Sequence, residues 1–304
     1  MLNINTILSE LNNSNATWEF EKIYSLLKQL IDNGISIRDI DNNCPKLTAY
    51  KIIDYLIRYG ENNIDNLNAI KNYYDSLQIN QDRCLVIADN HIGRLLRSEE
   101  YNPSQMFENE RGLYFAYNHA LKKGINNIIH LGDLLEGNSD IYQNKIQAIP
   151  YQFEYLERVY PHITNIKTYL LYGNHDYNLI YYDNVDEKFY NVCTNMELIG
   201  VNYSYINFCN QRIKLSHYCN TAEYIKNIEL PYDFELSGHS HIYNVFEEER
   251  FIRIPSLSSV SIDKSNIGFI EMIDEESKYL FKYFDENGNE KKENEKILCK
   301  KEKH

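Results

Sequence analysis

The sequence predicts an α/β fold, on three observations. From residue 83 onward, short apolar runs alternate with amphipathic helical stretches. The first of these runs each break off at polar residues, in "RCLVIADNH", "NNIIHLGD" and "IKTYLLYGNHD". From about residue 198 to 286 the chain becomes strand-dominated, with few helical intervals. Alternation of strand and helix implies a core with at least partly parallel pairing, and the later stretch implies a second, more antiparallel sheet.

Residues 1–78 come first and read as a separate helical segment. "WEFEKIYSLLKQLIDNG" sets Phe20, Ile23, Leu26, Leu27, Leu30 and Ile31 at three-and-four spacing and stops at Gly34, a C-cap residue. Ser36 then opens a short helix, "NNCP" breaks it, and a longer helix ends near Gly60. Short helix, turn and longer helix is the order of a helix-turn-helix unit. The competing reading is a helical cap packed on the main domain, and charge favours it. Residues 1–80 carry seven Lys and Arg against ten Asp and Glu, whereas a DNA-reading helix usually carries an excess of positive charge. Lys46, Lys51 and Arg58 along the longer helix are what speaks for DNA.

The main domain is expected over residues 79–288. "FENERGLYFAYNHALKKG" and "YQFEYLERVY" read as its helices, lying between the first three strands. "VNYSYINF", "RIKLSHY", "NVFEEERFIRIPS", "GFIEMID" and "YLFKYF" are expected to build the second sheet. Residues 289–304, "NEKKENEKILCKKEKH", form a charged tail expected to be poorly ordered.

Composition excludes several classes. No apolar run approaches the roughly 18 residues of a membrane span, and the start "MLNINTILSELNN" lacks the basic and apolar regions of a signal peptide. The expected location is the cytoplasm. The six cysteines are scattered without a CxxC pair, which reads as free thiols. A net charge of -13 over 304 residues opposes non-specific attraction to DNA or anionic membrane. Divalent cations at a carboxylate site would offset that field locally.

The chemistry lies at the strand exits. In order the chain offers Asp89 and His91 in "ADNH", Asp133 in "LGDLLEG", Asn174 and His175 in "YGNHD", His217 in "KLSHY", and His239 and His241 in "SGHSH". An α/β sheet carries such positions to one carboxyl edge, where these sheets place their sites. Two divalent ions need a bridging carboxylate, oxygen and nitrogen donors around each, and open positions for water and substrate. Asp133 is the natural bridge. Asp89, His91 and His241 would complete one ion's sphere, and Asn174, His217 and His239 the other. Strand alternation through "GHSH" is expected to point both histidines to one face.

The order DxH, GD, GNHD, H, GHxH resembles the calcineurin-like metallophosphoesterase superfamily over about residues 83–286. The steps are 44 residues from Asp89 to Asp133, 41 to Asn174, 43 to His217 and 22 to His239. The resemblance implies a four-layer αββα sandwich of two mixed sheets, two metal ions, and hydrolysis of a phosphate ester by a metal-bridging hydroxide. It implies that His175 stands over the substrate as acid for the leaving oxygen. Asp176 is then expected to orient His175 through a hydrogen bond. Manganese is the favoured ion, with iron or zinc as alternatives.

Among branches, the arginines of the Ser/Thr protein phosphatases are replaced by "GDLLEGN" and Tyr172. "DNHIGR", with Gly93 and Arg94, is similar to the repair-exonuclease branch of SbcCD-type and phage nucleases. That branch usually has a His three residues after the GD aspartate, where this chain has Glu136. The expectation is phosphodiester hydrolysis, on nucleic acid or nucleotides. The alternatives are a phosphomonoesterase or a non-enzymatic metal-binding scaffold. His130, His119 and His162 are expected to be packed or solvated, and Glu136 to lie either behind the ligands or in solvent.

Overall fold

The computed structural model describes residues 3–14, 19–44, 46–60, 63–94, 108–137, 149–177, 179, 185–217, 228–258 and 267–301. The N-terminal helices are α1 (Ile4–Asn13), α2 (Phe20–Asp32), α3 (Ile37–Asn43), α4 (Ala49–Tyr59) and α5 (Ile64–Ser76), followed by β1 (Gln78–Ile79). The alternating region holds β2 (Arg83–Ile87), α6 (Glu108–Lys123), β3 (Asn127–His130), α7 (Ile149–Val159), β4 (Lys167–Tyr172), α8 (Asn174–Tyr177) and α9 (Val185–Val192). Then come β5 (Met196–Val201), β6 (Tyr203–Phe208), β7 (Gln211–Ser216), β8 (Phe234–Ser237), β9 (Asn244–Phe246) and β10 (Phe251–Arg253). The last strands are β11 (Gly268–Asp274), β12 (Lys278–Asp285) and β13 (Lys296–Cys299).

Two mixed sheets result. The first runs β13-β12-β11-β2-β3-β4-β5, with β2 to β5 parallel and β11 to β13 antiparallel. The second runs β6-β7-β8-β10-β9, with β1 parallel to β6. The pair Val201–Tyr203 joins them at a corner turned by Asn202, whose φ is 65°. Val86, Ile129, Leu131 and Leu171 from one sheet share a buried core with Ile206, Ile213, Leu215 and Leu236 from the other. Outside the first sheet, α6, α7 and α9 bury Leu113, Tyr117, Phe153 and Phe189 against Leu85, Ile87, Ile128 and Leu170. On the second sheet α5 lies over β6, with the Tyr74 and Tyr205 rings 5.3 Å apart. The architecture is the expected four-layer αββα sandwich.

Local signals explain the N-terminal helices. Ser36 caps α3 by accepting from Asp39 N at 3.1 Å, and Gly60 ends α4. α4 buries Tyr50, Ile52, Ile53 and Leu56, and packs beside β5. Lys51 is spent inside the fold. Its Nζ lies 2.6 Å from Asp186, a buried carboxylate on α9 that also accepts from Tyr172, Tyr50 and Thr48 at 2.9, 3.0 and 3.1 Å.

Three expectations change. "GFIEMID" and "YLFKYF" join the first sheet rather than the second. Ile270 pairs with Val86 of β2, and a run that is buried from Gly268 to Ile273 needs cover on both faces. The second sheet is itself parallel in three of its five pairings, β1 with β6 and β8 with both β7 and β10. The charged tail contains an ordered strand: β13 pairs with β12, and Leu298 enters the core at 2% exposure while Ile297 faces out. Four residues of strand alternation outweigh the surrounding charge. Among the described residues no helix is long and apolar enough to cross a membrane, and the described cysteines are free; Cys219 lies outside the described residues.

Candidate metal centre

The loops leaving β2 and β3 run side by side and continue the ladder beyond the strands. Leu131 N donates to Ile87 O at 2.9 Å, Asp89 N to Gly132 O at 2.9 Å, His91 N to Asp133 O at 2.9 Å and Ile92 N to Leu134 O at 2.8 Å. These bonds set Asp89, His91 and Asp133 at one edge. Asp89, His91, Asp133, His239 and His241 all adopt left-handed backbone, with φ between 50° and 70°. Such a conformation costs about 1–3 kcal/mol per non-glycine residue and clusters at functional sites.

The strand-exit residues converge as anticipated. Asp89, His91 and His241 form one group, with His91 Nε2 3.3 Å from His241 Nε2 and His241 Nε2 3.4 Å from Asp89. Asp133, His217 and His239 form another, and Asn174 joins it: its Oδ1 lies 3.1 Å from His217 Nε2 and 3.0 Å from His239 Nδ1. Asp133 Oδ2 stands between them, 3.2 Å from His217 Nε2 and 3.8 Å from His91 Nε2. All of these side chains except those of Asn174, His239 and His241 are buried. His217 Nδ1 donates to Leu131 O at 2.5 Å, which leaves Nε2 free to ligate.

The donor set fits divalent cations. Lone pairs facing one another at these distances are relieved by a proton or a cation between them, and the mix of carboxylate, amide and imidazole is one that divalent ions take. Space is reserved as well: a Cβ on Gly173 would come 2.2 Å from Asp133 Oδ1, and one on Gly238 would come 2.9 Å from His217 Nδ1. Without ions, burial alone would push the His217 ring down, but Asp133 beside it raises it to about 10. Burial likewise opposes ionisation of Asp133, yet His217 and His175 hold that carboxyl well below its usual range. Burial, with Arg94 close by, keeps His91 neutral. Carboxylate and neutral imidazole are the forms a divalent ion takes, so an ion at His217 would displace the proton that the ring holds without it.

Two expectations fail in detail. "GHSH" is not strand: β8 ends at Ser237, and His239 and His241 reach the site through left-handed turns with φ of 70° and 54°. Asp176 does not orient His175. The His175 Nδ1–H donates to the backbone carbonyl of Glu136 at 2.7 Å. Asp176, fully buried, accepts from the backbone N–H groups of Leu134, Leu135 and Gly173 at 3.2, 3.0 and 3.2 Å. It staples the loop after β3 to the start of α8. A short helix turns the two side chains in different directions, which the bare order of residues conceals.

A third group, His91, Glu136 and His175, exceeds what sequence reasoning assigned. Glu136 is fully buried, with Oε2 2.6 Å from Arg94 Nε and 3.1 Å from His91 Nδ1. The signal was present: Arg94 and Glu136 each follow a ligand by three residues, on loops that run in parallel past the bridge Ile92–Leu135. His130 Nε2 donates to Asn90 Oδ1 at 2.8 Å while its Nδ1 accepts from Gly132 N at 3.2 Å, and burial lowers the ring to about 3, so it is a core residue. His119 pairs with Glu271, and His162 bonds the backbone carbonyl of Glu157.

A two-sheet sandwich carrying paired Asp, Asn and His clusters at its edge defines a metallohydrolase centre. Residues 82–267 match the calcineurin-like phosphoesterase family, and the chain belongs to that family, which makes it a metal-dependent phosphoesterase. Among solved structures it is similar to Yfce, a phosphoesterase from E. coli, at 14% identity over 71% of this chain and 98% of that chain, TM-score 0.41. It is similar to Pseudomonas putida nuclease MPE at 17% identity over 62% and 84% of the two chains, TM-score 0.34. A dimetal phosphatase from Danio rerio aligns at 9% identity over 71% and 98%, TM-score 0.41. A search of curated proteins finds no match.

Proposed function

We propose that the protein hydrolyses phosphodiesters at a two-metal centre, with nucleotides or nucleic acid as the substrate class. The observation that carries this reading is Asp133, whose Oδ2 lies between the Asp89, His91, His241 group and the Asn174, His217, His239 group. Two ions held there, for which manganese suits the mixed donors, supply Lewis acidity toward the phosphoryl group and lower the pKa of water.

The chain's own residues do the rest. Asp133 Oδ1 accepts from His175 N at 2.8 Å, which ties the acid's backbone to the bridging carboxylate. Because His175 Nδ1–H is given to Glu136 O, its Nε2 faces the centre and carries a proton only in the imidazolium form. That proton is the one delivered to the leaving oxygen. A diester is favoured because Arg94, the cation bonded into the centre, lies against His91 Nδ1 at 3.1 Å, behind the ring. It is turned away from the extra negative charge that a monoester would bring. We read residues 1–78 as a helical layer of this enzyme rather than a DNA reader, since Lys51 is committed to Asp186. The scattered cysteines suit a reducing cytoplasm.

The test is hydrolysis of bis-p-nitrophenyl phosphate by metal-free protein titrated with manganese, with the monoester run beside it. Activity should saturate near two ions per chain and prefer the diester. His175→Ala should keep both ions while turnover falls by about two to four orders of magnitude. Two bound ions without diester turnover would sink the reading.

A further inference from the structure

A cavity of about 440 Å³ opens beside the Asn174, His217, His239 group, with His217 and His239 in its wall. That volume lies in the roughly 300–1,000 Å³ range of small-molecule sites. Its far side is built by the outer face of the second sheet, from Lys214, Glu235, Phe251 and Arg253. The position follows from register. β10 pairs parallel with β8, which places Arg253 beside Ser237, two residues before His239.

Among the residues that line this wall, two cations, Lys214 and Arg253, face one acid, Glu235. Lys214 Nζ lies 3.6 Å from Glu235 and 3.7 Å from Glu229, so it is the cation that pairs with both acids. Arg253 has no carboxylate partner among the described residues. Its guanidinium lies over the Phe246 and Phe251 rings, 5.3 and 5.8 Å from their centroids. Stacking of this kind fixes the plane of the fork and leaves its N–H edge available for an oxyanion, which it matches bidentately. A guanidinium without a carboxylate partner among the described residues, beside a site in a chain of net charge -13, attracts a small anion locally, while the overall field repels a long polyanion.

We propose that this cavity receives one arm of the substrate, a nucleoside carrying its own phosphate, with Arg253 binding that second phosphate and Phe251 flanking the base. The inference rests on the diesterase reading and narrows it to short, terminally phosphorylated dinucleotides.

Two measurements test it. Manganese-loaded protein is assayed on the dinucleotide ApA and on its 5′-phosphorylated form pApA, as the ratio of the two kcat/KM values. AMP and adenosine are titrated calorimetrically into metal-free protein. The expected results are a preference of about tenfold or more for pApA, AMP binding well above that of adenosine, and loss of both in Arg253→Ala. Arg253→Lys, which keeps the charge and the packing stem, should restore part of each. A ratio and an AMP affinity unchanged in Arg253→Ala would overturn the subsite, as would wild-type protein that shows neither. If neither dinucleotide is cleaved, the diesterase reading fails, and the dependence of AMP binding on Arg253 then decides the inference by itself.

Discussion

Glu136 backs His91 from behind, with Oε2 3.1 Å from its Nδ1 and 2.6 Å from Arg94 Nε. Once Nε2, which faces His241 and Asp133, is given to an ion, Nδ1 carries the proton and donates it to Glu136, while Arg94, 3.1 Å from the same nitrogen, is held by Glu136 instead. Burial raises the Glu136 carboxyl, and Arg94 works against that rise. Glu136→Gln should therefore weaken binding of the ion on the His91 side by about 10–100-fold while the ion at His217 changes less. Calorimetric manganese titration of the metal-free variant resolves the two steps. Equal affinities in variant and wild type would remove Glu136 from the centre.

Asp176 supports the second expectation. Three backbone N–H groups end on its buried carboxylate, from Leu134, Leu135 and Gly173. Asp176→Ala orphans them, and an unsatisfied buried donor costs about 1–3 kcal/mol. We expect a loss of about 2–4 kcal/mol in urea unfolding of the metal-free protein, allowing for partial repair by water. A variant of wild-type stability that nonetheless turns over slowly would return Asp176 to a direct catalytic part.

How far these residues could be read in advance divides along physical lines. Asp89, Asp133 and Asn174 were legible because apolar runs end at them, and a parallel sheet carries such ends to one edge. His239 and His241 were found by residue type but for a mistaken reason, since left-handed turns rather than strand alternation aim them. Asp176 was misjudged, and Glu136 left open between a place behind the ligands and solvent, because side-chain direction in a four-residue helix and in a loop is set by tertiary packing. The same holds for β11 and β12: strand character was plain, but nothing local says that β2 accepts them on its free side. β13 was hidden by its charged neighbours, although Leu298 is an apolar residue with a place in the core.

Gly173 supplies a third prediction. A Cβ there would meet Asp133 Oδ1 at 2.2 Å, Asp133 N at 2.6 Å and His217 Nε2 at 2.7 Å. Backbone cannot yield as the end of a flexible side chain does. Gly173→Ala should push Asp133 and His217 apart, costing about 1–3 kcal/mol of stability and at least one of the two ions. Elemental analysis of the purified variant reads the metal directly. Two tightly held ions in Gly173→Ala would show that the loop has more freedom than its contacts allow.

The last prediction concerns pH and lies outside the metal centre. Glu271 on β11 meets His119 of α6 at 2.8 Å and Arg83 of β2 at 3.3 Å. Burial pushes its carboxyl up, but the His119 hydrogen bond and the charges of His119 and Arg83 outweigh burial and hold it below the usual range. A carboxyl whose folded pKa is depressed adds stability that is present above its unfolded pKa, about 4.3, and is lost as pH falls through the folded value. Glu271→Gln should thus be less stable than wild type at pH 7, with the gap closing as pH drops below about 4. Urea midpoints of both metal-free proteins between those limits test the sign. A gap that stays constant would mean that the pair contributes through packing of α6 on β11 rather than through charge.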